Sequence, residues 1–182
     1  MNGIGTILLT GGAGFIGSHT CLDLLKKGYK IIILDSFINS SPKSLDRIKE
    51  ILRIDNPELS LNLELREGTL IDKRFIHSVF DEAEKKGSRI DAVMHFAGLK
   101  SVQESIIKPL FYWEENVLGT MNLLNIMKEF SCHKIVFSSS ATIYKANNIE
   151  LITEKCEKGP INPYGNTKRV NEVFLSDVFK SN

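Results

Sequence analysis

Tyr164-Gly165-Asn166-Thr167-Lys168 sets a phenol and an ammonium four residues apart, the spacing that shares one helix face. A free tyrosine has a pKa of about 10, so ionising it near neutrality needs roughly 4 kcal/mol of differential stabilisation. One ammonium ~5 Å away, at an effective dielectric of ~20, supplies about 3 kcal/mol. Desolvation opposes the phenolate, so lysine alone falls short. A second positive charge, such as an oxidised nicotinamide, closes the difference. Tyr164 therefore reads as a proton acceptor working with Lys168 and a dinucleotide. By itself the Y-x-x-x-K spacing is common on ordinary helices.

The dinucleotide has its own signature in Thr10-Gly11-Gly12-Ala13-Gly14-Phe15-Ile16-Gly17. Gly11, Gly14 and Gly17 form a G-x-x-G-x-x-G spacing between a strand and a helix. Glycine allows the tight turn and lets backbone approach a pyrophosphate, whose charge the helix N-terminus stabilises. Glycine-rich turns also simply join strands to helices, so the context decides. Asp35 supplies that context at the end of the second strand, Ile31-Ile32-Ile33-Leu34. Its carboxylate can accept bonds from an adenosine ribose and repels a 2′-phosphate, which favours NAD over NADP.

Two further strand ends carry polar or small residues. Phe137-Ser138-Ser139-Ser140-Ala141-Thr142 offers hydroxyls, of which Ser140 is the candidate to hold a substrate hydroxyl near the tyrosine. His95-Phe96-Ala97-Gly98-Leu99-Lys100 offers small residues, Ala97 and Gly98, past which a cofactor can run, and Lys100 for a phosphate or ribose. His95 and His19 have no metal-ligand company and read as partly buried structural histidines.

The elements that must position these groups alternate in type. Strands are expected at Ile4 to Thr10, Lys30 to Leu34, Asn62 to Glu67, Ile90 to Ala97 and Lys134 to Ser139. Helices are expected at Phe15 to Lys27, from Pro42, from Asp72 as N-cap to Lys86, within Trp113 to Phe130, and at about Pro163 to Val178. In the fourth, Val117, Leu118, Met121, Leu124 and Met127 should face inward. This α/β alternation predicts a doubly wound, Rossmann-like parallel sheet of order 3-2-1-4-5, with ligands outside the carboxyl ends of the strands. The domain expected is a single NAD-binding Rossmann domain over 1–182, incomplete at its C-terminal end.

Composition narrows the class. The 182 residues are 42% hydrophobic and 25% charged, with 23 basic and 22 acidic side chains giving a net charge of +1. That balance suits one sizeable core and lacks the basic excess of a nucleic-acid or membrane-surface binder. No apolar run approaches the ~20 residues that span a bilayer, and no secretory signal is visible, so the cytoplasm is the expected compartment. Cys21, Cys132 and Cys156 are too scattered for a disulfide framework or a zinc cluster.

Taken together, these segments resemble the extended short-chain dehydrogenase/reductase family, and within it the N-terminal part of the UDP-glucose 4-epimerase family. The resemblance rests on TGGAGFIGSHT (Thr10 to Thr20), DSFINS (Asp35 to Ser40), HFAGLKSVQES (His95 to Ser105), NVLGT (Asn116 to Thr120), SSSATIY (Ser138 to Tyr144) and PYGNTK (Pro163 to Lys168). It implies that Tyr164 takes the proton of a sugar 4-hydroxyl, that Lys168 holds the ribose and lowers the tyrosine pKa, and that Ser140 positions or relays the proton. Hydride exchange with tightly held NAD at C4 would interconvert UDP-glucose and UDP-galactose. The cofactor site would be lined by Phe15 and Ile16, by Asp35, Ser36, Asn39 and Ser40, by Phe96 to Lys100 including Leu99, and by Asn116, with Thr69 and Leu70 near the adenine.

Three positions depart from the family pattern. Glu67-Gly68-Thr69-Leu70 lacks the usual adenine-binding aspartate, Lys145 replaces a usual glycine, and Glu115 replaces a second asparagine beside Asn116. A sugar-nucleotide 4,6-dehydratase on the same fold is disfavoured, because Ala141-Thr142-Ile143 lacks the Asp-Glu pair that class places there. The resemblance implies a C-terminal substrate domain after the Tyr164 helix, and the expectation for residues 1–182 is a chain without it. The alternative expectation is therefore a truncated, catalytically incompetent NAD-binding fragment or half of a split protein. A helix face with Val170, Val173, Phe174 and Phe179 would stay partly uncovered and invite association, with a homodimer as the candidate assembly.

Overall fold

The computed structural model describes residues 4–145 and 151–181. The chain folds as two compact units, Met1–Ala97 with Asn122–Ser138, and Gly98–Met121 with Ser139–Asn182. The strands are β1 (Thr6–Thr10), β2 (Lys30–Asp35), β3 (Leu63–Glu67), β4 (Ile90–His95) and β5 (Ile135–Phe137). The helices are α1 (Phe15–Lys26), α2 (Lys43–Asp55), α3 (Lys73–Lys85), α4 (Val102–Ile107), α5 (Pro109–Trp113), α6 (Gly119–Glu129) and α7 (Pro163–Lys180).

The first unit holds the whole sheet, parallel throughout and ordered β3-β2-β1-β4-β5, as the alternation predicts. Its central strands are apolar at consecutive positions because helices cover both faces. Leu8, Ile32 and Leu34 pack with Ile76, Val79 and Phe80 of α3 and with Leu123, Ile126 and Met127 of α6. Leu9, Ile31 and Ile33 pack on the other face with Cys21 and Leu25 of α1 and with Leu45, Ile48 and Leu52 of α2. Each side chain of this size contributes about 1.5–3 kcal/mol when fully buried.

Element ends follow local chemistry. Gly28, at φ 88°, stops α1 in the left-handed conformation that glycine tolerates. Asp72 caps α3 by accepting the Arg74 and Phe75 N–H groups. The Arg66 guanidinium on β3 makes a two-pronged ion pair with Glu82 of α3, holding that edge strand to its helix. β1 starts at Thr6 rather than Ile4, since Gly5 takes φ 150° and Ile4 is exposed.

One helix differs in phase from the sequence expectation. Glu114–Leu118 is a π turn inserted ahead of α6. Such a turn holds an extra residue and rotates everything after it. Leu118 and Met121 are exposed, while Leu123 and Ile126 join Met127 in the core.

The second unit contains two short helices absent from the sequence reading. Ser101 caps α4 by accepting the Glu104 N–H, and Pro109 opens α5 at a position where its missing N–H costs nothing. Tyr112 is fully buried; its hydroxyl donates to Glu104 and accepts the Ser101 N–H. The longest helix, α7, buries Gly165, Thr167, Lys168 and Asn171, a small and polar face, and exposes Val173, Val178 and Phe179. Val170 and Phe174 are half-buried.

Candidate functional site

In the first unit the glycine turn has the shape that dinucleotide binding requires. Gly11 takes φ 66°, and a Cβ there would fall 2.5 Å from the Ala97 backbone nitrogen. A Cβ on Gly17 would fall 2.4 Å from the Gly11 carbonyl oxygen, so this glycine lets α1 sit close on the turn. Gly14 is the N-cap of α1 and makes no side-chain capping bond, and the first turn carries no acidic residue. The positive end of α1 is therefore presented at Phe15 and Ile16, both exposed. Such a helix start matches an anion held by backbone N–H groups.

Asp35 is buried and accepts three hydrogen bonds, which leaves one acceptor position on Oδ2. Its Oδ2 accepts the Ala13 N–H at 2.9 Å. Its Oδ1 accepts the Phe37 N–H at 3.0 Å and the Ser40 hydroxyl at 2.7 Å. The carboxylate thus ties the glycine turn to the loop after β2, where Phe37 is held at φ 55°. Ser36 and Asn39 lie exposed on that loop. Thr69 accepts the Ile71 N–H, and Leu70 is buried in the core beside α3. Asn122, which the sequence reading did not single out, donates to the Leu70 and Ile71 carbonyls and fixes this loop.

At the end of β4, His95 is buried with its Nδ1 2.6 Å from the Thr10 hydroxyl. Phe96 and Ala97 donate N–H bonds to the Thr10 carbonyl and hydroxyl. His95 is thus the structural histidine expected, whereas His19 is exposed, with Nδ1 2.8 Å from the Phe15 carbonyl oxygen. Among the described residues no cluster of three metal-ligating side chains exists.

The second unit carries the remaining candidates. Asn162 caps α7 by accepting the Gly165 N–H at 2.8 Å, which starts the helix with Tyr164 in its first turn. A Cβ on Gly165 would lie 2.6 Å from the Thr142 carbonyl oxygen. Gly165 therefore lets α7 approach the 3-10 turn Ala141–Ile143, a role the sequence reading did not assign. Ser140 caps that turn: its oxygen accepts the Thr142 N–H at 3.2 Å and the Thr142 hydroxyl at 2.9 Å. Both lone pairs are occupied, so the Ser140 proton is left to donate elsewhere.

Lys168 is 5% exposed, and burial pushes its amine down to about 8. It stays mostly protonated at neutral pH. A Cβ on Gly98 (φ 152°) would meet the Lys168 Nζ at 3.6 Å and the Asn116 Oδ1 at 3.1 Å, so glycine there leaves room for both. Leu99 is buried and Lys100 exposed. Asn116, in the π turn, binds the Leu99 backbone on both sides and donates to the Thr167 hydroxyl at 3.1 Å. Burial, reinforced by Glu114, pushes the neighbouring Glu115 carboxyl up. The Tyr164 ring meets Tyr112 edge-on at 6.5 Å between centroids. Lys145 adapts without strain: it takes no left-handed conformation and pairs with Glu157 through backbone and side chain.

The comparisons with known proteins agree with this geometry. Residues 8–182 match the family model for GDP-mannose 4,6 dehydratase. The chain is 47% identical over 172 residues to a curated UDP-glucose 4-epimerase of Bacillus subtilis (strain 168), covering 94% of this chain and 47% of that protein. It is 44% identical over 176 residues to the Haemophilus influenzae UDP-glucose 4-epimerase, covering 96% and 48%. A crystal structure of the Bifidobacterium longum UDP-glucose 4-epimerase in complex with NAD+ and UDP superposes with a TM-score of 0.86 at 42% identity, covering 97% of this chain and 50% of that one. The chain spans about half the length of the curated relatives it matches. No helix among the described residues is long and apolar enough to cross a membrane. With its parallel sheet, its glycine turn and a match over residues 8–182, the chain belongs to the GDP-mannose 4,6-dehydratase family of extended short-chain dehydrogenase/reductases, in which its similar relatives are UDP-glucose 4-epimerases.

Proposed function

We propose that this chain carries the NAD-binding and proton-transfer residues of a UDP-glucose 4-epimerase, acting on UDP-glucose and UDP-galactose in the cytoplasm. The observation that carries the reading is the second unit's arrangement of Tyr164 in the first turn of α7 with Lys168 buried one turn on. Support also comes from relatives and solved structures that are epimerases, one of them holding NAD+ and UDP.

The residues present fit the cofactor. The uncapped start of α1 at Phe15 and Ile16 suits a pyrophosphate, and the buried Asp35 suits a ribose without a 2′-phosphate. Ser36, Asn39, Ser40, Thr69, Leu70, Phe96, Ala97, Gly98, Leu99, Lys100 and Asn116 would be the remaining lining residues, as the resemblance implies. Bound NAD would supply the hydride acceptor and a positive charge. Tyr164 would accept the proton of the sugar hydroxyl, and Lys168, still cationic at pH 7, would hold the phenolate in its charged form. Ser140, its lone pairs taken by Thr142, would donate its proton to a sugar oxygen.

Dehydration across C5 and C6 needs an added acid and base. The Ala141–Ile143 turn offers no carboxylate, which favours epimerisation over the dehydratase chemistry for which the family model is described. A second reading, an NAD-binding chain that does not turn over, is compatible with a chain that spans about half the length of its relatives. Calorimetry with NAD and a UDP-galactose conversion assay separate the two. Conversion supports the epimerase, binding without conversion supports the second reading, and absence of NAD binding overturns both.

A further inference from the structure

The helix that bears Tyr164 and Lys168 is not held by an apolar stripe. Its buried positions are Gly165, Thr167, Lys168 and Asn171. What they meet is a polar network with Asn116 and Thr120, four side chains no more than 3% exposed. Asn116 donates to the Thr167 hydroxyl, which itself donates to the Tyr164 carbonyl at 2.7 Å. The Thr120 hydroxyl donates to the Asn116 carbonyl at 2.7 Å. Asn171 closes the circuit: its Nδ2 donates to the Asn116 carbonyl at 2.8 Å and to the Thr120 hydroxyl at 3.1 Å.

Two details make Asn171 unusual. Both of its donor contacts end on acceptors, so the orientation of the amide is fixed by chemistry. Its Oδ1 is then buried with no hydrogen-bond partner, a penalty that an apolar residue of the same shape would not carry. A side chain that leaves its oxygen unpaired and is bonded through its amide hydrogens to the π turn at Asn116 and to the first turn of α6 at Thr120 is spent on register. Asn171 lies one turn beyond Lys168 and two beyond Tyr164 on the same face.

We propose that Asn171 is a positioning residue that docks α7 onto the π turn at Glu114–Leu118 and so sets the places of Tyr164 and Lys168. The inference deepens the proposed function and rests on it for the purpose of that placement. The contacts themselves do not depend on which sugar is converted.

Asn171→Leu is nearly isosteric, removes the unpaired oxygen and leaves the Asn116 carbonyl with the Thr120 hydroxyl as partner. Asn171→Ala is a second variant that cannot overpack the site. Both are compared with the unaltered chain in thermal melting, in NMR titration of the Lys168 amine and in NAD calorimetry. The expected result is a melting temperature for Asn171→Leu that is not lowered, with the Lys168 midpoint raised by about one pH unit as water reaches it. NAD affinity should fall about tenfold. A folded Asn171→Leu or Asn171→Ala protein whose Lys168 midpoint matches the unaltered chain overturns the proposal. If the unaltered chain binds no NAD, the functional reading fails, while the Lys168 titration still decides the role of Asn171.

Discussion

The side-chain amide of Asn116 closes a ring with the backbone of Leu99: Oδ1 accepts the Leu99 N–H at 2.7 Å and Nδ2 donates to the Leu99 carbonyl at 2.9 Å. The pairing copies what a neighbouring strand would do, and it holds the Gly98–Lys100 segment in place. Asn116→Leu would leave both Leu99 groups buried without partners, at a cost of about 3 kcal/mol. Urea denaturation measures this, and a loss below about 1 kcal/mol would show that the loop finds other partners.

Lys168 gives a pH signature. Its amine sits at about 8 in the folded chain against the ordinary 10.5, so between those values the unfolded chain binds more protons. Stability should therefore rise with pH across that window, and the full penalty should apply below about 8. Lys168→Met should lack this slope, its stability being flat across the same window. Parallel stability curves for the two proteins between pH 7 and 10.5 would contradict the buried-amine account.

Tyr164→Phe removes one oxygen and leaves the helix cap, the Gly165 contact and the ring contact with Tyr112 intact. Folding should be unaffected, while UDP-galactose conversion in a protein that turns over should fall by about 10²–10⁴. Undiminished conversion would remove Tyr164 from the proton path.

Asp35→Asn keeps the shape but turns amide hydrogens toward donors that now bond a carboxylate. The preference for NAD over NADP should drop at least about tenfold, because the repulsion of a 2′-phosphate is lost. Calorimetry with both dinucleotides provides the ratio, and an unchanged ratio would show that selectivity lies elsewhere.

Gly17→Ala tests the approach of α1 to the glycine turn. Its Cβ would stand 2.4 Å from the Gly11 carbonyl oxygen, a backbone atom that cannot rotate aside. A loss of about 1–3 kcal/mol and weaker NAD binding are expected, read from melting and calorimetry.

Much of this was legible in the sequence, for identifiable reasons. Ile31 to Leu34 is apolar at consecutive positions, which only a strand covered on both faces needs, and this placed β2 and Asp35 together. Asp72 and Gly28 marked helix ends through capping chemistry that is local. The π turn was not legible, because a widened turn leaves composition unchanged, and Leu118 and Met121 were expected inward only because they are apolar. Nor was the role of Gly165, Thr167 or Asn171. Their partners Thr142 and Asn116 lie far along the chain, and small or polar residues on a helix read as a solvated face until that contact is seen.

The strand order also dictates a sequence of assembly. β1 pairs with β2 in register from Thr6–Lys30 onward, but its other edge waits for β4, where Thr6 meets Ile90. A ribosome adding ~5–20 residues per second leaves that edge open for roughly one to several seconds after β3 has emerged. During that interval Leu8 and Leu9, at the centre of the finished sheet, sit on an unpaired strand margin. The nascent chain is thus most prone to mispair before residue 95 has emerged, and a translational pause between the emergence of β3 and that of β4 would lengthen that exposure.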